Sequence, residues 1–335
     1  MPVSIEDVAR HLGLSVSAVS KALNDYPDIS VETKARVAEA AAGLGYHPSA
    51  AARSLRRHCT ERIGIVNTST SYNSDYYMEL LRGVTMAAEQ TDYNLMLYTN
   101  VHMQPQRLQR ICRAREVDGV LLISGDEIAE ALDTLLAEDL PLVVLGRREE
   151  RPEISFIASD AMVDGLLGTR HLIELGHRRI GFLSSLLNAQ TCDDCIAGYR
   201  QALQEAGIPY NPALITAAPY RPGAGGEAIK VLLARDPKPT AVVAISNSVA
   251  QEALRALTEC GLSVPQDIAI VAIGDTWLSL LTTPPLTSIC QPLFEMGKQS
   301  VEMLLARIAN PHQPPERVIC PVSLVVREST VGTRT

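Results

Sequence analysis

Between Ser15 and Asn24, one face of a short helical stretch presents Val16, Ser17, Ser20, Lys21 and Asn24, with no acid until Asp25. Small, hydroxylic and basic groups of this kind can approach a polyanion, set short side chains against base edges and let a lysine reach a guanine or a phosphate. The same stretch also reads as one of two ordinary packed helices. Cys192 and Cys195, in CDDC, are a second candidate. Zinc takes four ligands, and neither a second CxxC nor an HxxxH accompanies them, so they are a weak metal signal. The acids between them raise a thiol pKa, which works against a reactive thiolate. Gly223, Gly225 and Ala228 satisfy GxGxx(G/A). Pro219 and Pro222 separate them from the preceding strand and no acid closes the next one, so the dinucleotide pattern fails in its context. GxxxxGK[ST], HExxH and GxSxG are absent from the sequence. The expectation is a protein that is not an enzyme and carries no cofactor.

Short helices must position the exposed face. Ile5, Val8, Ala9 and Leu12 recur at i, i+3, i+4 and i+7, giving a first helix with one apolar stripe. Ser4 is its N-cap, and Asp7, three residues on, resembles a capping box. Gly13 closes this helix, and Ser15 caps a second one whose Val19, Ala22 and Leu23 point inward. Ser30 caps a third, running to about Leu44. After Gly45, Pro48 ends one element and the Ala-rich segment before Leu55 can begin a short helix. Arg53, Arg56, Arg57, His58 and Arg62 cluster there, as phosphate contacts would.

Beyond Arg62 the pattern changes. Apolar runs start near Ile63, Asn94, Gly119 and Leu142, and again near Ile180, Leu214, Ala241 and Ile268, each followed by a helix-like segment. Spacings of this size are those of βαβ units, and short continuous apolar strands suit parallel sheets covered on both faces. Two arrays mean two α/β lobes with a cleft where ligands bind at the carboxyl ends of the strands. Leu293 to Ile308 has helical periodicity, and SLVVR at Ser323 reads as a final strand. The 335 residues suit two or three domains, and 46% hydrophobic composition allows real cores. Net charge is −8, but residues 1–60 hold seven Lys/Arg against six Asp/Glu, so the acid lies away from the basic end. The seven scattered cysteines are expected to be free, mostly buried thiols. With a polar N-terminal helix and no apolar run of membrane length, a cytoplasmic protein is expected.

Four segments resemble the lactose-repressor/galactose-repressor (LacI/GalR) family of bacterial transcription regulators: DVARHLGLSVSAVSKALN, VETKARVAEAAAGLGYHPSAAARSL, GHRRIGFL at Gly176 to Leu183, and PPLTSICQP at Pro284 to Pro292. The resemblance covers essentially the whole chain. It implies an all-α helix-turn-helix headpiece at 1–47, a hinge helix and linker at 48–61, and a two-lobe α/β periplasmic-binding-protein-like core at 62–335. The N-lobe would take about 62–160 plus 291–321, the C-lobe about 161–290 plus 322–330, and the three crossings would form a hinge. By position, Val16, Ser17 and Lys21 match the family's base-reading residues, and Ser15 and Ser20 its phosphate-positioning ones. Ala52 and Leu55 match hinge-helix positions that enter the minor groove, the leucine as a wedge between base steps. Asn24, Arg53 and Arg56 complete the expected DNA-binding set. Only five residues follow Thr330, without room for the leucine-heptad helix that makes the lactose repressor a tetramer, so a homodimer on a pseudo-palindromic double-stranded operator is expected, with no membrane partner.

The resemblance also places a small-molecule effector in the cleft, yet this sequence departs from the usual pocket. Where the family has Arg in RxxG(F/Y), CIAGY puts Cys195; AISN supplies Ser246 and Asn247 in place of Asn-Asp; AIGD has Gly274 for the first acid and leaves Asp275. A thiol is one weak donor where an arginine is a charged fork. A simple sugar held in the usual manner is therefore not expected. Tyr72, Arg147, Tyr220, Ser246, Asn247 and Asp275 remain cleft candidates, each equally readable as structural. The alternatives are an effector-independent DNA-binding regulator, a thiol- or metal-responsive one acting through Cys192 and Cys195, and a transport-type solute receptor, which would carry a signal sequence in place of residues 1–57.

Overall fold

The structure is a computed structural model and describes residues 3–46, 59–67, 75–98, 105–123, 128–185, 189–218 and 221–331. It divides into two compact units, residues 1–60 and 61–335.

Among the described residues the first unit holds three helices, α1 (Ile5–Leu12), α2 (Val16–Leu23) and α3 (Val31–Leu44). The capping box forms: Ser4 Oγ accepts from the Asp7 amide, while Asp7 Oδ2 accepts from the Ser4 amide at 2.9 Å. Gly13 ends α1 at φ +66, a left-handed conformation that a residue without Cβ adopts at no steric cost. Ser15 and Ser30 cap α2 and α3 through their hydroxyls. Val8, Val19 and Val37 are fully buried at the centre with Ala9 and Ala22, while Leu12 and Leu23 pack partly buried around them.

The second unit contains two six-stranded sheets. The first has the order β11-β5-β4-β3-β1-β2, from β1 (Arg62–Asn67), β2 (Asn94–Tyr98), β3 (Gly119–Ile123), β4 (Leu142–Leu145), β5 (Ser155–Ser159) and β11 (Arg317–Cys320). The second has the order β12-β10-β9-β8-β6-β7, from β6 (Ile180–Ser185), β7 (Ile215–Ala218), β8 (Ala241–Ala244), β9 (Ala269–Ile273), β10 (Thr287–Cys290) and β12 (Ser323–Val325). Pairing is parallel throughout except β12 on β10. The central strands GVLLI, LVVL, AVVA and AIVAI are buried along their whole length, as strands covered on both faces must be.

Register divides each strand between two cores. In the first lobe, Ile63, Leu121 and Val143 face α4 (Asp75–Ala88) and α12 (Leu293–Ala309), while Val120, Leu122 and Val144 face α5 (Pro105–Arg113) and α6 (Ile128–Ala137). In the second, Phe182, Val243 and Val271 face α7 (Ala161–Glu174) and α8 (Ala189–Glu205), and Val242, Ile270 and Ala272 face α9 (Ala224–Leu233) and α10 (Asn247–Glu259). The chain passes between the lobes three times, after Ser159, after Cys290 and after Cys320. Two short helices remain, α11 (Leu278–Leu281) and α13 (Glu328–Val331). All seven cysteines are free, and four are buried.

Three strands escape the sequence pattern. SFIAS and TSIC carry serines and a threonine that break their apolar runs, and Ser155, Thr287 and Ser288 are buried with hydrogen-bond partners. Ser155 Oγ accepts from the Glu316 amide at 3.0 Å, and Thr287 Oγ1 donates to the Arg327 carbonyl at 2.9 Å. RVIC is an edge strand with only Cys320 buried. Among the described residues no helix is long and apolar enough to cross a membrane.

Candidate functional site

In the headpiece, α2 shows the face its spacing promises. Val16, Ser17 and Asn24 are exposed, with Ser20 and Lys21 half-buried beside them. Ser15 Oγ accepts from the Ala18 amide at 3.1 Å, so its hydroxyl both starts the helix and sits at its exposed end. Asn24 Nδ2 donates to the Ser20 carbonyl at 2.6 Å, closing the helix. One charge relation was not legible: Lys21 is ion-paired with Asp28, seven residues on and across the turn. That hydrogen bond holds the Lys21 ammonium above, and the Asp28 carboxyl below, their ordinary values. The two side chains are 43% and 51% exposed, and such solvated pairs are worth little, so a polyanion can displace Asp28 at small cost. Ala52, Arg53, Leu55 and Arg56 lie outside the described residues, as do Tyr72 and Tyr220.

We expect Lys21→Ala to lower discrimination by about 1–3 kcal/mol at one base position per half-site. Affinities for an operator and its single-base variants measure this; a uniform loss over all sequences would make Lys21 a phosphate contact instead.

In the second unit the carboxyl ends of the two sheets face each other. Asp75, starting α4 of the first lobe, accepts from Thr276 Oγ1 of the second at 2.8 Å. Thr276 in turn accepts from Asn247 Nδ2 at 3.1 Å. Asn247 Oδ1 accepts from Ser279 Oγ at 2.8 Å, which fixes the amide of a residue only 1% exposed. Arg147, just past β4, reaches across to Gln190 on α8. Ser246 caps α10 by accepting from the Val249 amide. Gly274, at φ +90, turns the chain beside Asn247, and a Cβ there would lie 3.8 Å from Asn247 Nδ2.

Two expected cleft residues are engaged within the protein. Cys195 is fully buried with Phe182, Tyr199 and Val271 on the sheet side of α8, and burial pushes its thiol well above the ordinary value. It is a core side chain in this conformation rather than a ligand contact, and neither a thiolate nor an accessible metal ligand. Asp275 is taken by Arg327: Nη1 donates to Oδ1 at 2.7 Å and Nη2 to Oδ2 at 2.9 Å. Both oxygens of the carboxylate are thereby occupied by a charge-assisted bidentate pair. Sequence reasoning missed Asp75, Thr276 and Arg327, which come together only because the start of α4, the turn after β9 and the segment after β12 converge. It also missed Asp164, a carboxyl buried in the first turn of α7.

Residues 4–49, which contain the three helices of the headpiece, match bacterial regulatory proteins of the lacI family, and residues 169–330 match a periplasmic binding protein-like domain. The chain is 36% identical to the ribose operon repressor of Haemophilus influenzae, over 97% of this chain and 98% of that one. The protein belongs to the lacI family. It is 33% identical to the transcriptional repressor PurR of Aliivibrio salmonicida, over 92% and 93% of the two chains. Its fold also matches the lac repressor dimer bound to operator and the anti-inducer ONPF, with a TM-score of 0.86 at 25% identity, covering 98% of this chain and 99% of that one. As a lacI-family regulator it is a DNA-binding protein of transcription control, and α2, with its exposed face, lies within the matched residues 4–49.

Proposed function

We propose that this lacI-family protein is a cytoplasmic, homodimeric repressor whose operator affinity is set by a small molecule held between its lobes. The observation that supports it best is the direct bonding of the two lobes to each other, through Asp75–Thr276 and Arg147–Gln190. A ligand entering there must break or bridge these bonds, and so changes lobe geometry by its differential affinity for two arrangements. The ligand is gripped otherwise than by an Arg, Asn and Asp set, since Cys195 and Asp275 are engaged within the protein. The second chain of the dimer is proposed to cover large apolar side chains exposed on both lobes, among them Met78, Leu97, Trp277, Leu280 and Leu281. Leu281→Asp should therefore shift the protein toward monomer in sedimentation and remove the dependence of its unfolding midpoint on protein concentration; an unchanged dimer would clear this face.

One test selects bound sequences from random duplexes and repeats binding with pooled sugars, sugar acids, nucleosides and amino acids, ribose first because the H. influenzae relative is named for a ribose operon. A ligand at about 100 times its Kd adds about 2.7 kcal/mol of stability, readable by thermal shift. A half-site palindrome whose binding responds to one pool supports the proposal. A second reading, an effector-independent regulator, is favoured by the internal engagement of Asn247, Asp275 and Arg147, and a palindrome bound identically with every pool would select it.

A further inference from the structure

Asp164 lies where both lobes and two of the three crossings meet. It is fully buried in the first turn of α7. Its Oδ2 accepts from Gln291 Nε2, at the start of the second crossing, and the same amide donates to Ser159 Oγ, at the end of β5, at 3.1 Å. Its Oδ1 is buried with no hydrogen-bond partner among the described residues. The titratable groups around it are the Tyr76 phenol from α4 of the opposite lobe, the Cys195 thiol from α8 with Cys192 and Asp194 near it, and Asp160, the cap of its own helix. None of these is a cation. A carboxylate in such surroundings is destabilised relative to its neutral acid.

We propose that Asp164 is a proton-operated latch of the inter-lobe hinge, keeping the lobes closed when neutral and loosening them when ionised. Separation of the lobes would bring water to Oδ1, and the hydrated carboxyl regains an ordinary acidity. In the closed form, burial pushes its pKa up to about 7, with the Gln291 hydrogen bond opposing and Asp160 adding. The closed form thus binds more protons than the open one from about pH 4 to about pH 7. Its advantage over the open form falls as pH rises through that window, by up to about tenfold per pH unit, and is constant above it. Acidification closes the hinge.

The test needs neither effector nor operator, so its result is independent of the function proposed above. Small-angle scattering and urea midpoints of the full chain are followed from pH 5 to pH 8 for the wild type, Asp164→Asn and Gln291→Leu. His171 and His177, whose pKa values burial lowers, titrate alike in all three, so differences between profiles isolate Asp164. The wild type should grow more open and lose midpoint as pH rises, and Asp164→Asn should lose that slope. Gln291→Leu, lacking the bond that favours the carboxylate, should move the transition to higher pH. Parallel wild-type and Asp164→Asn profiles would overturn the latch. Should Asp164→Asn not fold, a Gln291→Leu transition at the wild-type pH overturns it equally.

Discussion

Gly165→Ala is expected to destabilise the second unit by about 3 kcal/mol, because the added methyl meets backbone and not a side chain that could swing away. On α7, a Cβ at Gly165 would stand 1.9 Å from the Cys195 carbonyl oxygen of α8, and reciprocally a Cβ at Gly198 would stand 1.9 Å from the Met162 carbonyl oxygen. The helices cross with main chain touching main chain, and no rotamer change relieves the clash. The gain of about 1 kcal/mol that Ala usually brings to a helix interior offsets only part of this. The first lobe repeats the device, with Gly83 of α4 and Gly297 of α12 at 2.0 and 2.1 Å from the partner helix's carbonyl oxygens. Urea unfolding provides the measurement. Gly226→Ala, whose Cβ would meet the Ala256 methyl and the Glu252 carbonyl at 3.3 Å, should cost much less. Equal midpoints for Gly165→Ala and wild type would mean that the helices can separate freely.

Arg327→Leu is expected to cost about 3–5 kcal/mol, the penalty for leaving one partner of a buried ion pair unpaired. The guanidinium side chain is 16% exposed and the Asp275 carboxylate 12%. Arg327 also donates to the Leu286 carbonyl at 2.7 Å, and its own amide donates to Thr287 Oγ1 at 2.8 Å. One residue thereby ties the end of β12 to β10 and to the turn after β9. The double variant Asp275→Asn with Arg327→Leu should recover part of the loss, since a neutral amide is cheaper to bury alone than a carboxylate. If the double variant is as unstable as the sum of the two single ones, the pair is not coupled and Arg327 acts through its main-chain contacts alone.

In the headpiece nearly everything was legible, because its signals are local. Ser4 with Asp7, Gly13, Ser15, Ser30 and the apolar spacing each act within one or two turns of chain, and a cap or a stripe depends on no distant residue. The same holds for the central strands of both sheets, where burial on two faces leaves continuous apolar runs. Legibility fails at β5 and β10, whose buried Ser155 and Thr287 are tolerated through partners 161 and 40 residues away. It fails for Lys21, whose acidic partner arrives by way of a turn.

The sequence by itself therefore determined the helix-turn-helix, the exposed polar face of α2, the two α/β arrays and the family. Only the tertiary structure decided the inner lining of the inter-lobe region. There Cys195 went to the core, Asp275 to Arg327 and Asn247 to Thr276, while Asp164 was left with one oxygen unpaired at the crossings. The physical reason is one of range. A cap or an apolar period is a relation among neighbours in the chain, but the protonation and availability of a carboxylate depend on which groups the fold brings within hydrogen-bond reach and how much water it removes.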